Sequence, residues 1–145
     1  MKIKVLILIV CFLLFACVDA LAGDFYDNGD GTVTDYNTGL MWQQDEAGSM
    51  LWEVAISYCE GLSLAGYTDW RLPNIKELES ITDDTLYDPA IDTNFFPDAS
   101  AWYWSSTTWV ADFVRARLVY FYDGSVNWIQ DKSGSSYVRC VRGGQ

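Results

Sequence analysis

The chain has 145 residues, 50% of them hydrophobic and 16% aromatic, with 9 basic and 20 acidic side chains giving a net charge of −11. Such acidity excludes a nucleic-acid binder, because phosphate recognition needs a basic face. Histidine is absent, which excludes Ser-His-Asp and Cys-His nucleophile systems and any zinc site built on imidazole.

The first residues read as a targeting segment. Lys2 and Lys4 precede an apolar run from Val5 to Ala16, and small residues follow, as in a secretory signal peptide. The best cleavage site follows Ala20-Leu21-Ala22. Residues 1–22 are therefore the expected signal peptide and residues 23–145 one expected domain, periplasmic or extracellular. "LFAC", Leu14 to Cys17, also approximates a lipoprotein signal, although bulky Phe15 fits it poorly. Acylation of Cys17 is the one route to a membrane anchor in this reading. The apolar run is short for a spanning helix, and nothing later resembles one.

Without Lys2, Lys4 and Asp19, the remainder carries 7 basic and 19 acidic residues, a net charge of −12. Residues 113–142 contribute +3 through Arg115, Arg117, Lys132, Arg139 and Arg142 against Asp123 and Asp131, so residues 23–112 carry −15. Solvated balancing charge is the expected role of those bases, with an anion-binding face as the alternative. Export leaves two cysteines, Cys59 and Cys140, and an oxidising compartment favours one disulfide between them. A catalytic thiol would lack its usual histidine.

In chain order, "DNGDGTVTD" (residues 27–35) alternates acids with glycine, as calcium loops do. Starting an EF-hand register at Asp24 puts Tyr26 at the third ligand position; starting at Tyr26 loses the first carboxylate. The stretch is instead the expected first hairpin, with Phe25 and Tyr26 before the turn and Thr32, Val33 and Thr34 after it. A turn at Asn37-Thr38-Gly39 leads to a strand at Leu40-Met41-Trp42. Leu51, Ala55, Tyr58 or Cys59, and Leu62 fall at helical spacing, with Ser49 as the expected N-cap and Gly66 closing the region. Asn74 and Glu77 make a capping box for a second helix with Ile75, Leu78 and Ile81 on one stripe. Residues 82–101 hold Pro89, Pro97 and the acids Asp83, Asp84, Asp88, Asp92 and Asp98, and read as a long surface loop. Strands follow at 103–107 and around an Asp123-Gly124 hairpin. That turn sets Phe121 opposite Val126 and Val119 opposite Trp128, and projects Tyr120, Tyr122 and Asn127 from the other face. "SSYVRCVR" is the last strand.

"DNGDGTVTDYNTGLMW", "YCEGLSLAGYTDWRLPNIKEL", "YWSST", "YFYDGSV" and "YVRCVRGG" occur in the order seen in the Lcl C-terminal domain-like family. This bacterial domain of formerly unknown function also caps collagen-like adhesins. The resemblance covers essentially all of residues 23–145. It implies an α+β, C-type lectin-like fold: two helices on a small, twisted, mostly antiparallel sheet with a long irregular loop region. It also implies a disulfide from the first helix to the last strand, and places residues 82–110 in the loop region where such folds bind ligands. Adhesin relatives suggest sulfated polysaccharides, which the acidity of this chain disfavours unless its bases gather on one side. The Glu-Pro-Asn, Gln-Pro-Asp and Trp-Asn-Asp motifs of calcium-dependent sugar sites are missing. The reactive cysteine pair of related formylglycine-generating enzymes has no counterpart among free cysteines here.

Trp42, Trp52, Trp70 and Trp104 lie inside the shared motifs and are expected to fill the core. Trp102, Trp109, Tyr120, Tyr122 and Trp128 are the candidate stacking surface, joined by Asn127 and by Arg115 and Arg117, which could grip sulfate or carboxylate. Arg71 is expected to pair with a buried carboxylate or backbone carbonyls. Asp83, Asp84, Asp88 and Asp92 are the candidate cation ligands, calcium being the natural ion; no cofactor is required. The expectation is an exported, non-enzymatic binding domain for a glycan or an envelope or host surface molecule. A protein–protein or self-assembly module, homo-oligomeric if so, is the second reading. A carboxylate-dependent hydrolase is the third, and would need two convergent carboxyls.

Overall fold

A computed structural model of the protein describes residues 24–97 and 99–143. The expected signal segment, with Cys17, lies outside the described residues, as does Asp98. The elements run β1 (Phe25–Asp27), β2 (Thr32–Asp35), β3 (Met41–Gln43), β4 (Ser49–Leu51), α1 (Trp52–Gly61), α2 (Ile75–Glu79), β5 (Trp102–Thr108), β6 (Arg115–Tyr120), β7 (Ser125–Asp131), β8 (Ser135–Tyr137) and β9 (Val141–Arg142). They form two sheets, ordered β1-β2-β3-β9 and β4-β8-β5-β6-β7. All pairings are antiparallel except a single parallel bridge between β5 and β8. The architecture is α+β. No helix among the described residues is long and apolar enough to cross a membrane.

The opening stretch is a hairpin, with Tyr26 opposite Thr34. Gly29 and Gly31 take φ of 71° and 84°, the left-handed region its turn needs. Its acids serve the turn itself: Asp27 Oδ1 accepts the Gly29 N–H, and Asp30 Oδ1 accepts the Thr32 N–H and hydroxyl.

The helices differ in how they begin. At α2 the capping box is complete, the Asn74 side chain accepting from Glu77 N and the Glu77 carboxylate from Asn74 N. The helix stops at Glu79, so Ile81 is buried just beyond it. At α1 the expected cap is overturned. Ser49 lies in β4 opposite Tyr137, and Leu51 precedes the helix with no side-chain cap. Strand pairing claims Ser49 before it can cap anything, and burial of Trp52, Ala55 and Cys59 along one face holds the helix instead.

The five-stranded sheet packs against a core on each face. Along β6, Ala116 and Leu118 join Trp104 under Trp52, Ala55 and Cys59 of α1. Val119, and Phe121 just beyond the strand, point the other way, to Tyr103, Leu78 of α2, and Trp42 and Val141 of the first sheet. Residues 82–97 and 99–101 have no regular structure and are only in part the surface loop expected: residues 84–88 are exposed, but others are not. Ala90, Ile91, Phe96 and Ala99 are buried and plug this second core. Their apolar side chains follow neither helical nor strand period, which hides them from pattern reading.

Cys59 on α1 bonds to Cys140, one residue before β9, and so ties the helix to the end of the chain across a separation of 81 residues. Closing a loop of that size is worth about 4 kcal/mol by chain entropy. Arg71 clamps the same region: Nη1 and Nη2 each reach the Glu77 carboxylate at 2.7 Å, and Nη2 also donates to the Gly143 carbonyl at 2.9 Å.

Candidate functional site

Cross-strand register assembles the site. Trp102 on β5 stands opposite Tyr120 on β6, and Leu118 stands opposite Trp128 on β7. All four share the sheet face that carries Trp104, since partners across a ladder project to one side. The register differs by one residue from the tight Asp123-Gly124 hairpin, which would have set Val119 against Trp128 and Phe121 against Val126. The chain leaves the ladder after Tyr120 because the irregular segment claims it. Phe121 N donates to Ala101 O, while Phe121 O and Tyr122 O accept from Ala90 N and Asp88 N. Phe121 sinks into the core, residues 121–124 make a wider turn closed by Gly124 N to Tyr120 O at 2.8 Å, and the ladder bulges between Leu118 and Tyr120.

The result is a continuous strip of five rings. Trp102 and Tyr120 stack at 3.9 Å and 4°. Trp128 meets Trp102 edge-on at 4.6 Å. Tyr122 follows Tyr120 at 5.6 Å and 22°, and Tyr87 from the irregular segment closes the row edge-on against Tyr122 at 4.6 Å. Because Trp102 and Tyr120 are nearly parallel, each covers a face of the other. The open ring surface is therefore at the two ends, where Trp128 is 50% exposed and Tyr87 65%. The Trp128 indole is pinned: Nε1 donates to Ser125 Oγ at 2.9 Å, and that hydroxyl donates to Asp123 Oδ1 at 2.5 Å. At the other end, the hydrogen bond with the Tyr122 hydroxyl pushes the Tyr87 pKa up to about 12, so the Tyr87 phenol stays neutral at physiological pH.

The structure brings together Trp102, Tyr120, Tyr122 and Trp128 and separates the other candidates from them. Asn127 is exposed in the bulged step and makes no side-chain hydrogen bond among the described residues. Arg115 and Arg117 alternate with Ala116 and Leu118, so they leave the opposite face of β6. Trp109 lies at the far end of β5, 5.9 Å beneath the Arg115 guanidinium. Sequence reading missed Tyr87. It sits in an aperiodic segment, and long-range hydrogen bonds, from Asp88 N to Tyr122 O and from Ala90 N to Phe121 O, set it beside the strip.

Four of the five bases of residues 113–142 are engaged by neighbours; the fifth, Arg117, is half-buried on β6 and its side chain makes no hydrogen bond or ion pair among the described residues. Arg115 pairs with Asp112 at 3.4 Å. Lys132 lies 3.8 Å over the Trp52 ring and donates to Thr108 Oγ1. Arg142 chelates Asp69 and lies 3.6 Å over Tyr67. Arg139 is wholly buried, donating to the carbonyls of Gln43 and Gln44 and packed against Phe96 and Tyr103. Burial lowers its pKa, and the carbonyls take the place of water around the guanidinium. Each of these four has a partner in the protein, although the Arg115 side chain stays 45% exposed.

Asp83, Asp84 and Asp92 line a cavity of about 630 Å³ with Asp24 and Glu79, whereas Asp88 turns away and accepts from Ser100 Oγ at 2.7 Å. Asp83 and Asp92 already accept from the N–H groups two residues ahead, and the Thr85 hydroxyl and its N–H lower the Asp83 pKa. Among the described residues no group of three or more acidic or cysteine side chains is arranged to hold a metal.

Architecture and surface define a small disulfide-bonded α+β domain whose central sheet carries a partly open aromatic strip. The model of the Lcl C-terminal domain matches residues 31–142, and the chain belongs to that family. A comparison with curated proteins found no match.

Proposed function

We propose that this protein is an exported, non-enzymatic binding domain of C-type lectin-like fold that takes a glycan on the strip Trp128–Trp102–Tyr120–Tyr122–Tyr87. The continuity of those five rings, open at the Trp128 and Tyr87 ends, carries the reading. Sugars present apolar C–H faces that pack on open indole and phenol rings, and the phenol hydroxyls supply hydrogen bonds at the rim. Mutual stacking fixes the rings before a ligand arrives, which lowers the ordering cost of binding. Because Arg115 and Arg117 leave the face opposite the strip and Lys132, Arg139 and Arg142 are engaged by neighbours, the favoured ligand is a neutral glycan rather than a sulfated one. The absence of histidine and the commitment of both described cysteines to a disulfide support a binding role over a catalytic one.

A glycan-array screen with and without chelator, at two salt concentrations, tests this. Binding to neutral glycans that survives both chelator and salt, and is lost in Trp128→Ala, is the expected outcome. Binding confined to sulfated glycans and abolished by salt would overturn the ligand class. No binding, with oligomers by light scattering, would favour the assembly module.

A further inference from the structure

The far end of the same sheet carries a second surface. Between β5 and β6 the turn "WVADFV" (residues 109–114) exposes Val110 at 96%, Phe113 at 81% and Val114 at 44%. Large apolar groups so open to water mark a contact surface. The turn is well built. Trp109 N donates to Arg115 O, Asp112 N to Trp109 O and Arg115 N to Asp112 O, and Lys132 N ties Val114 O to the end of β7. Its one acid is paired: Asp112 accepts from Val114 N and lies 3.4 Å from the Arg115 guanidinium. The tip thus presents apolar side chains and no free charge, on a chain of net charge −11.

We propose that this tip inserts into the headgroup region of a lipid bilayer. The side chains are of the kinds an interfacial anchor requires. Val110, Phe113 and Val114 form the open tip, Trp109 adjoins it as the interfacial indole, and the exposed Arg115 guanidinium, 5.9 Å from that ring, is the cation beside it for a lipid phosphate. A lipid surface suits the tip better than a second protein. Three or four side chains on a convex turn bury far less than the roughly 1,200 Å² of a stable protein interface, whereas a bilayer closes around a small tip. Asp131, opposite Arg115 in the ladder, accepts from Ser133 and keeps the base of the turn near neutrality, so apolar insertion rather than charge supplies the affinity.

The test is co-sedimentation of the full chain with vesicles of phosphatidylethanolamine and phosphatidylglycerol, comparing wild type with Val110→Asp/Phe113→Asp. The apolar run Val5–Ala16 is common to both, so their difference reports the tip alone. Partition about tenfold weaker or more in the double variant is expected. Brominated lipid should quench emission in the wild type and quench it less in Trp109→Phe. Equal partition of the two proteins would overturn the proposal. So would concentration-dependent dimers, without vesicles, that the double variant dissolves. Trp128→Ala should partition like wild type, which keeps this outcome separate from that of the glycan site.

Discussion

The two faces of the five-stranded sheet are closed to different extents. On one, α2, the turn after it and the irregular segment that follows supply Leu78, Ile81, Ile91, Phe96 and Ala99, which pack with Tyr103 and Phe121. On the other, α1 covers Trp104, Ala116 and Leu118 and then ends. A helix of 10 residues spans about 15 Å. Trp104 and Trp102 leave that face two residues apart, yet Trp104 is wholly buried with Nε1 bonded to Met50 O, while Trp102 is half-buried and covered by other rings. One residue type on one strand becomes core or surface according to where its cover stops.

The largest expected effect breaks that contrast directly. Trp104→Ala removes a fully enclosed indole and should cost about 3–5 kcal/mol in urea unfolding. Trp102→Ala gives up half-exposed area and a ring stack, a loss of roughly 1–2 kcal/mol. Equal losses would mean that the strip is simply more core.

A smaller effect probes the closed face, where α2 is held by charge. Burial pushes the Glu77 carboxyl up, but the hydrogen bonds from Arg71 and Asn74 N outweigh it and hold the pKa below the ordinary value. A depressed carboxylate pKa contributes stability that is present above the unfolded value, about 4.3, and is lost as pH falls through the folded value. The urea midpoint of wild type should therefore exceed that of Glu77→Gln at neutral pH, and the gap should close below about pH 4. A gap that stays constant with pH would show that the pair contributes through packing alone.

What the sequence reveals is mainly what neighbouring residues decide. The Asn74–Glu77 box and the Gly29 and Gly31 turn are local, and the structure has both. Trp42, Trp52, Trp70 and Trp104 are core because they stand among other apolar residues in compact motifs. The departures are all long-range. Ser49 is a strand residue because Tyr137 pairs with it. The hairpin register slips because Ala90 and Ala101 capture Phe121. Arg139 looks like surface charge until the carbonyls of Gln43 and Gln44 enclose it. Four of the five rings of the strip, Trp102, Tyr120, Tyr122 and Trp128, are visible as aromatic density in residues 102–128; the Tyr87 end is not. Trp128 owes its place to the bulge, and Tyr87 to hydrogen bonds from its aperiodic neighbours.

The seven indole N–H groups make the central claim directly measurable. In a ¹⁵N–¹H titration with the best neutral glycan from the array, the Trp102 and Trp128 indole signals should shift together. Those of Trp52, Trp70 and Trp104, bonded to Ser105 O, Leu64 O and Met50 O, should stay in place. A bound glycan that leaves Trp102 and Trp128 unmoved, or shifts Trp109 alone, would contradict the assignment of the aromatic strip as the binding surface.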